Sequence, residues 1–376
     1  MSVTAALIVL NEERFLPDCL RSLEGCVDEI VIVDTGSTDH TIDIARAAGA
    51  AVSSFAWNGD FAAARNEALQ RVATPWTLYI DADERVSVPG GGGIGQVLDP
   101  AEHAGGYVRF RPRPGYSRYR EPRLFRSDPA IRFRGRIHET MVPDLLSYAE
   151  KHRLTIPVTP VCIDHFGFEG DQSHKVARNV PLLETEVETR PDRAYCWHHL
   201  AEMLALDGRH DEAVAICRRG LAATRDVGTD KDRLDRRQLA QTLTRLLIET
   251  GQDATQVIGA LLREDPDDFS TLYLAGRSSL LRGDADDALQ KGRRLVGIDA
   301  SALEIGLVAY DLRLFEEFAW ALLGAAYLQA GRRPEAGEAY RQAWLCAPNN
   351  TAHLCKAVGL GSNVGRTTTA TYASPI

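Results

Sequence analysis

Thr4-Ala5-Ala6-Leu7-Ile8-Val9-Leu10-Asn11-Glu12-Glu13 is an unbroken apolar run that stops abruptly in three polar residues. A strand covered on both faces reads this way, because neither face has room for polar side chains. The same unit returns at Ile30-Val31-Ile32-Val33-Asp34-Thr35-Gly36-Ser37-Thr38-Asp39 and at Trp76-Thr77-Leu78-Tyr79-Ile80-Asp81-Ala82-Asp83-Glu84. A shorter strand is expected over Ala51 to Phe55. Between these runs lie helical patterns: Phe15, Leu16, Cys19, Leu20 and Leu23 on one face, then Ile42, Ala45 and Ala48, then Phe61 to Val72. Ser37 or Thr38 is expected to cap the second helix. This alternation predicts an α/β domain with a doubly wound sheet. Ligands of such sheets sit at the carboxyl ends of the strands, so Asn11-Glu12-Glu13, Asp34 and the Asp81/Asp83 pair are expected to converge on one rim.

The rest of the chain narrows the function classes. With 376 residues, 44% hydrophobic and 25% charged, it is long enough for two or three globular domains. The first strand is not followed by GxGxxG, which argues against a dinucleotide site, and no GxxxxGK[ST] occurs. No apolar run approaches the ~18 residues of a membrane span. The apolar stretch from Val3 lacks a preceding basic residue and runs into Asn11-Glu12-Glu13, so it reads as a strand and not a signal peptide. Lys+Arg 43 against Asp+Glu 52 gives a net charge of -9, which argues against nucleic acid as a partner. The seven cysteines are scattered without a CxxC, as expected of reduced thiols in a cytoplasmic protein.

Taken together, the Thr4–Glu13, Val31–Asp39 and Ile80–Glu84 motifs resemble glycosyltransferase family 2. The resemblance runs from about residue 3 to 168 and implies the GT-A fold, an inverting mechanism, a nucleoside-diphosphate sugar donor (UDP-sugar favoured) and a divalent metal, Mg or Mn. It places Asn11, Glu12 and Asp34 around the nucleotide, Asp81 at the ribose and Asp83 on the metal. Many members have a second acid after the Asp34 position, and here that residue is Thr35. Chemically, a departing diphosphate gains negative charge, and a hard cation held by carboxylates stabilises it. Arg65, within Asp60-Phe61-Ala62-Ala63-Ala64-Arg65-Asn66-Glu67-Ala68, fits a subfamily signature and suits a phosphate or nucleotide contact.

Ten arginines lie between Tyr107 and His138, opposed only by Glu121 and Asp128. A basic floor for the pyrophosphate, with an anionic acceptor beside it, is one reading. The other is solvated outer faces of strands carrying Arg109/Arg111/Arg113 and Arg132/Arg134/Arg136, with Arg123 the exception that binds donor. An inverting transfer also needs a base for the acceptor proton. Glu139 and His138, in Gly135-Arg136-Ile137-His138-Glu139, are the candidates. His165, in His165-Phe166-Gly167, resembles the late histidine that completes a GT-A metal site. Gly90 to Gly93 read as a surface tether.

Strand signals end near Gly167, and a helix from Gln172 to Glu188 is expected to join two halves. Trp320, Leu323, Gly324, Tyr327, Gly331, Ala336, Tyr340, Ala343 and Pro348 then follow the tetratricopeptide pattern, with weaker copies around Gly208, Gly251 and Gly283. The expected organisation is a GT-A domain over 1–170, a linking helix over 171–190, tetratricopeptide-like all-α repeats over 191–358 and a flexible tail over 359–376. Three roles are open to the repeats: homodimerisation, gripping a peptide acceptor, or bracing the first domain. The architecture resembles sublancin-type peptide S-glycosyltransferases and bacterial polysaccharide sugar transferases, which makes a peptide or a glycan the expected acceptor. A repeat-based interaction scaffold with a non-catalytic sugar-nucleotide-binding domain is the alternative.

Overall fold

In the computed structural model, residues 1–167, 173–225, 228–303 and 305–362 are described. The chain divides into two compact units. The first comprises Met1–Arg209 with Ala222–Asp235 and the segment ending at Ala309; the second comprises His210–Leu221, Arg236–Leu303 and the chain from Tyr310. No described helix is long and apolar enough to cross a membrane. The expected tail, from residue 363 on, and the 170/171 boundary lie outside the described residues.

The first unit is built on an eight-stranded sheet with order β3-β2-β1-β4-β7-β6-β8-β5. Its strands are β1 (Val3–Val9), β2 (Glu29–Asp34), β3 (Ala51–Ser54), β4 (Trp76–Tyr79), β5 (Glu84–Ser87), β6 (Gly105–Arg111), β7 (Tyr119–Arg126) and β8 (Val158–His165). β1 to β4 are parallel, with Val9 opposite Asp34 and Ala6 opposite Tyr79, as the alternating pattern predicts. The other strands extend this half differently: β7 runs antiparallel to β4 and β6, and β8 runs parallel to β6 and antiparallel to β5. The hairpin joining β6 to β7 needs no crossover helix, so the strand–helix alternation that marks the first half is missing from its sequence.

Helices α1 (Leu16–Leu23), α2 (Thr41–Ala47) and α3 (Phe61–Leu69) follow β1 to β3. α1 presents Leu16, Cys19, Leu20 and Leu23 to Leu7, Leu78 and Ile80, which form one core with it. Asp39, rather than Ser37 or Thr38, serves the start of α2: its Oδ1 accepts from the Thr41 N–H at 3.0 Å. Ser37 and Thr38 are turned to Asn11 instead. Residues 132 to 136 are not the expected strand, having only an isolated bridge from Arg134 to Thr140. Gly135 at φ 104° and His138 at φ 51° bend the chain away from an extended path. Helices α4 (Val142–His152), α5 (Ser173–Thr189) and α6 (Ala194–Leu206) complete this unit's principal elements.

The second unit is helical: α7 (His210–Ala223), α8 (Asp230–Glu249), α9 (Thr255–Glu264), α10 (Phe269–Leu281), α11 (Ala285–Val296), α12 (Glu317–Gln329), α13 (Arg333–Cys346) and α14 (Thr351–Gly359), with the ends of α7 and α8 belonging to the first. Small residues set the packing of the pairs. A Cβ on Gly324 of α12 would stand 3.0 Å from the Tyr340 ring of α13, and one on Gly292 of α11 would stand 2.8 Å from the Leu323 side chain. Close approach of this kind lets successive helix pairs share a core.

Candidate active site

The parallel strands end where their apolar runs end, and the loops that follow are tied together. Asn11, at φ 55°, receives the Thr38 N–H on its Oδ1 at 2.7 Å. The Glu12 N–H reaches Thr41 Oγ1 at 2.7 Å. Asp34 is 3% exposed, and its carboxylate accepts from the N–H groups of Gly36 at 3.0 Å and Ser37 at 3.2 Å. Gly36 sits at φ 118°, a conformation that only glycine adopts without strain. Asp34 thus shapes the loop beside Asn11.

β4 leads into the Asp81-Ala82-Asp83-Glu84 turn, where two buried guanidiniums organise the acids. Arg65, from α3, donates Nη2 to Asp81 Oδ1 at 2.7 Å and Nε to Glu139 Oε1. It lies over the rings of Tyr79 and Phe133, which shield the guanidinium and its bond to Glu139. Against the burial that would raise it, Arg65 and then Arg123 hold the Asp81 carboxyl below the usual range. Arg123 lies in an aromatic sandwich, 4.3 Å from the Tyr79 centroid and 4.7 Å from that of Phe110. It forms a bidentate pair with Glu84, at 2.8 and 3.1 Å. Glu84 Oε2 also accepts the Asp81 N–H at 2.9 Å, so the Arg123–Glu84 pair fixes the backbone of the turn. Burial, reinforced by Asp81, pushes the Glu84 carboxyl up to about 7 despite Arg123.

Asp83 faces the end of β8. Its Oδ2 lies 3.0 Å from His165 Nε2, and both side chains are about one-fifth exposed. A Cβ on Gly167 would stand 1.7 Å from that same oxygen, so only glycine leaves room for the pair. Among the described residues, no three His, Cys, Asp or Glu side chains converge as a ready-made metal cage. The Asp83–His165 pair nevertheless fits a divalent ion, offering a carboxylate oxygen and an imidazole nitrogen beside surplus negative charge. That surplus is visible at Glu12, whose carboxyl is pushed up to about 7 by burial, then by Asp83 and Asp81.

The segment carrying His138 and Glu139 is gripped by α5 and α6. Glu186 is 2% exposed and accepts from Arg190, from Arg193 Nη1 at 2.9 Å and from the Arg136 N–H at 3.3 Å. Arg193 Nη2 also donates to the His138 carbonyl at 2.9 Å. From the other side, the Phe61 N–H at the start of α3 donates to the Arg136 carbonyl at 2.8 Å. The His138 ring stacks on His199 with centroids 4.0 Å apart and meets Tyr195 edge-on. Burial, then Arg193 and His198, depresses the His138 imidazole to about 3, so it is neutral at physiological pH.

The structure therefore joins Arg65, Asp81 and Glu139 in one clamp and sets Asp83 on His165. Asn11, Glu12 and Asp34 lie on the neighbouring loops. Arg123, expected at the pyrophosphate, is buried behind the turn with Glu84. Sequence reasoning gave no role to Glu84, Glu186 or Arg193. Glu84 was readable, since it extends the Asp81/Asp83 motif, whereas Glu186 and Arg193 act only through tertiary contact.

Residues 4–120 match the sequence profile described as Glycosyl transferase family 2, and residues 252–302 match that described as Tetratricopeptide repeat. A TPR repeat-containing protein of Synechococcus elongatus is 35% identical over 58% of this chain and 56% of its own length. The SPbeta prophage-derived glycosyltransferase SunS of Bacillus subtilis is 25% identical over 58% of this chain and 53% of its own length. The lipopolysaccharide core biosynthesis glycosyltransferase LpsC of Rhizobium meliloti is 42% identical over 23% of this chain and 33% of its own length. The chain thus spans about half the length of the first two relatives. With the strand-end acids and the repeat packing in view, residues 4–120 are a glycosyl transferase family 2 domain, followed by a helical region that carries a tetratricopeptide repeat.

Proposed function

We propose that this chain is an inverting, metal-dependent glycosyltransferase that moves a sugar from a nucleoside-diphosphate sugar, a UDP-sugar by preference, to a peptide or other acceptor nucleophile. The observation that carries the reading is the Arg65 clamp, which fixes Asp81 and Glu139 relative to each other beside the Asp83–His165 pair. Asn11, Glu12 and Asp34 shape the nucleotide pocket, and Asp81 receives the ribose. Asp83 and His165 would hold Mg²⁺ or Mn²⁺, whose chemistry when bound is Lewis-acid stabilisation of the diphosphate leaving group.

Glu139 is the better base of the two candidates. Its carboxylate is paired with an always-charged guanidinium and oriented by it. His138 is neutral, but its ring is engaged with His199 and Tyr195, and its depressed affinity makes it a weak proton acceptor. Glu139 takes the acceptor proton as the nucleophile attacks the anomeric carbon from the face opposite the departing diphosphate. Arg65 and the aromatic rings over it keep water from this carboxylate until the acceptor arrives.

The test is hydrolysis of a panel of UDP-, GDP- and TDP-sugars by the full chain, with released nucleoside diphosphate measured with and without Mg²⁺ or Mn²⁺. Slow metal-dependent release from one donor is expected, with Asp83→Ala lowering it by about a thousandfold while circular dichroism stays unchanged. Near wild-type release by that variant in added metal would sink the assignment of Asp83.

A further inference from the structure

The β6–β7 hairpin carries an imbalance of charge that the catalytic reading does not use. Between Gly105 and Arg126 it holds seven arginines and a single acid, Glu121. Some of this charge is matched. Arg111 makes a bidentate pair with Asp164 at 2.8 and 2.9 Å, Arg118 joins the same carboxylate at 2.8 Å, and Arg123 holds Glu84. Among the described residues, Arg109 and Arg120 have no such partner. They are directly opposite each other across the β6–β7 ladder, and the Nε of each is buried without a hydrogen bond. Glu121 neighbours Arg120 in the strand, so its side chain points to the other face.

Like charges placed directly opposite on a sheet are destabilising, and buried donors without acceptors add to the cost. An external counter-charge at the two half-buried guanidiniums would relieve that repulsion, while the buried Nε atoms, like that of ion-paired Arg123, are not part of such a site. The register also fixes where that partner would lie. Arg109 is opposite Cys162 and Arg111 opposite Asp164 on β8, so the partner would lie on the face opposite to His165, whose ring is near that of Phe110. Arg109 and Arg111 repeat at the two-residue period of a strand, about 7 Å, which is also the spacing of alternate side chains in an extended peptide. The Tyr107 ring, 5.7 Å from the Arg120 guanidinium, gives the cationic pair an aromatic wall.

We propose that Arg109 and Arg120 bind the carboxylates of an acidic, extended peptide segment, the acceptor's own recognition sequence, on the face of the hairpin that carries Arg111. This rests on the glycosyltransferase reading for the word acceptor, but the binding itself needs neither donor nor metal. Arg111 and Arg118, which share the single Asp164 carboxylate, border the site and hold the hairpin to β8.

The test uses the full chain and a fluorescein-labelled alternating Glu-Ser peptide, followed by anisotropy without donor. Binding is expected at about 50 mM NaCl and weaker at about 300 mM. The double variant Arg109→Gln/Arg120→Gln should bind about tenfold more weakly, with an unchanged or higher Tm and unchanged affinity for UDP with Mn²⁺. Arg109→Lys/Arg120→Lys should retain intermediate affinity. Equal binding by the Gln variant overturns the proposal, as does equal binding of a Lys-Ser peptide. A lower Tm in both double variants would make the pair structural. A fall in UDP affinity with peptide binding unchanged would assign the arginines to the donor's diphosphate. Absence of any nucleotide-sugar hydrolysis would refute the enzyme reading and leave the peptide result standing on its own.

Discussion

Arg65 and Arg123 are buried against aromatic rings and each holds a carboxylate, whereas Arg109 and Arg120, on neighbouring elements of the same unit, face each other and hold none among the described residues. In the first pair the guanidiniums act on the protein itself. Arg65 joins two acids from different segments, and Arg123 works through Glu84 on the backbone of the Asp81–Glu84 turn. In the second pair the charge is left over. The contrast teaches that the density of arginine in a sequence does not identify a ligand site. What separates a positioning arginine from a binding one is whether the fold already supplies its counter-charge.

The largest effect should follow from removing the matched charge. Arg65→Ala would leave Asp81 and Glu139 with no cation between them, and breaking a buried pair typically costs about 3–5 kcal/mol. Denaturant unfolding should show that loss, and sugar transfer should fall below detection. Arg65→Lys is the sharper probe, because a single ammonium cannot reproduce the fork that reaches both carboxylates. It should recover most of the stability and little of the activity. Recovery of both would mean that Arg65 contributes charge alone and no geometry.

A smaller and more local effect is expected at Gly167. Its substitution by alanine adds one methyl group 1.7 Å from Asp83 Oδ2, a distance that forces the carboxylate off His165. The fold can absorb this by turning one side chain, so Tm should move by no more than a few degrees while activity falls by about ten- to a hundredfold. An active Gly167→Ala protein with its ordinary metal requirement would show that the Asp83–His165 pair is dispensable.

The parallel half of the fold was legible because β1, β2 and β4 are largely buried and run into acids, two signals that coincide at Val9–Glu12, Val33–Asp34 and Tyr79–Asp83. The tetratricopeptide pattern was legible for a different reason: small residues recur where helices must approach, as Gly324 against Tyr340 shows. The antiparallel strands were less so. Arg132, Arg134 and Arg136 alternate like a strand, but Gly135 and His138 take left-handed backbone angles that break it. Alternation reports a side-chain pattern and says nothing of backbone sign. The support of Glu139 was hidden altogether, since the Arg193–His138 bond spans 55 residues and leaves no local mark.

The weakest effect separates matched from unmatched charge by proton uptake. His138 is held to about 3 by burial, Arg193 and His198, and His199 lies well below its ordinary value through burial and His138. An unfolded histidine titrates near 6.5. Below that pH the unfolded chain takes up protons that the folded His138 refuses, so the folded state loses stability as pH falls from about 6.5 towards 3, and nothing is lost above 6.5. Glu12 and Glu84, both pushed up to about 7, act in the opposite sense: between about 4.5 and 7 the folded state binds protons that the unfolded one releases. The total pH profile is therefore a poor witness, and the difference between two proteins is a good one. His138→Asn keeps a residue that tolerates the left-handed backbone and removes one titrating group. Urea unfolding of both proteins at pH 7.5 and 5.5 should show the wild type losing about 1 kcal/mol more than the variant on acidification. Parallel losses would mean that the His138 ring is protonated inside the fold, and with it would go the argument that Glu139, not its neighbour, takes the acceptor's proton.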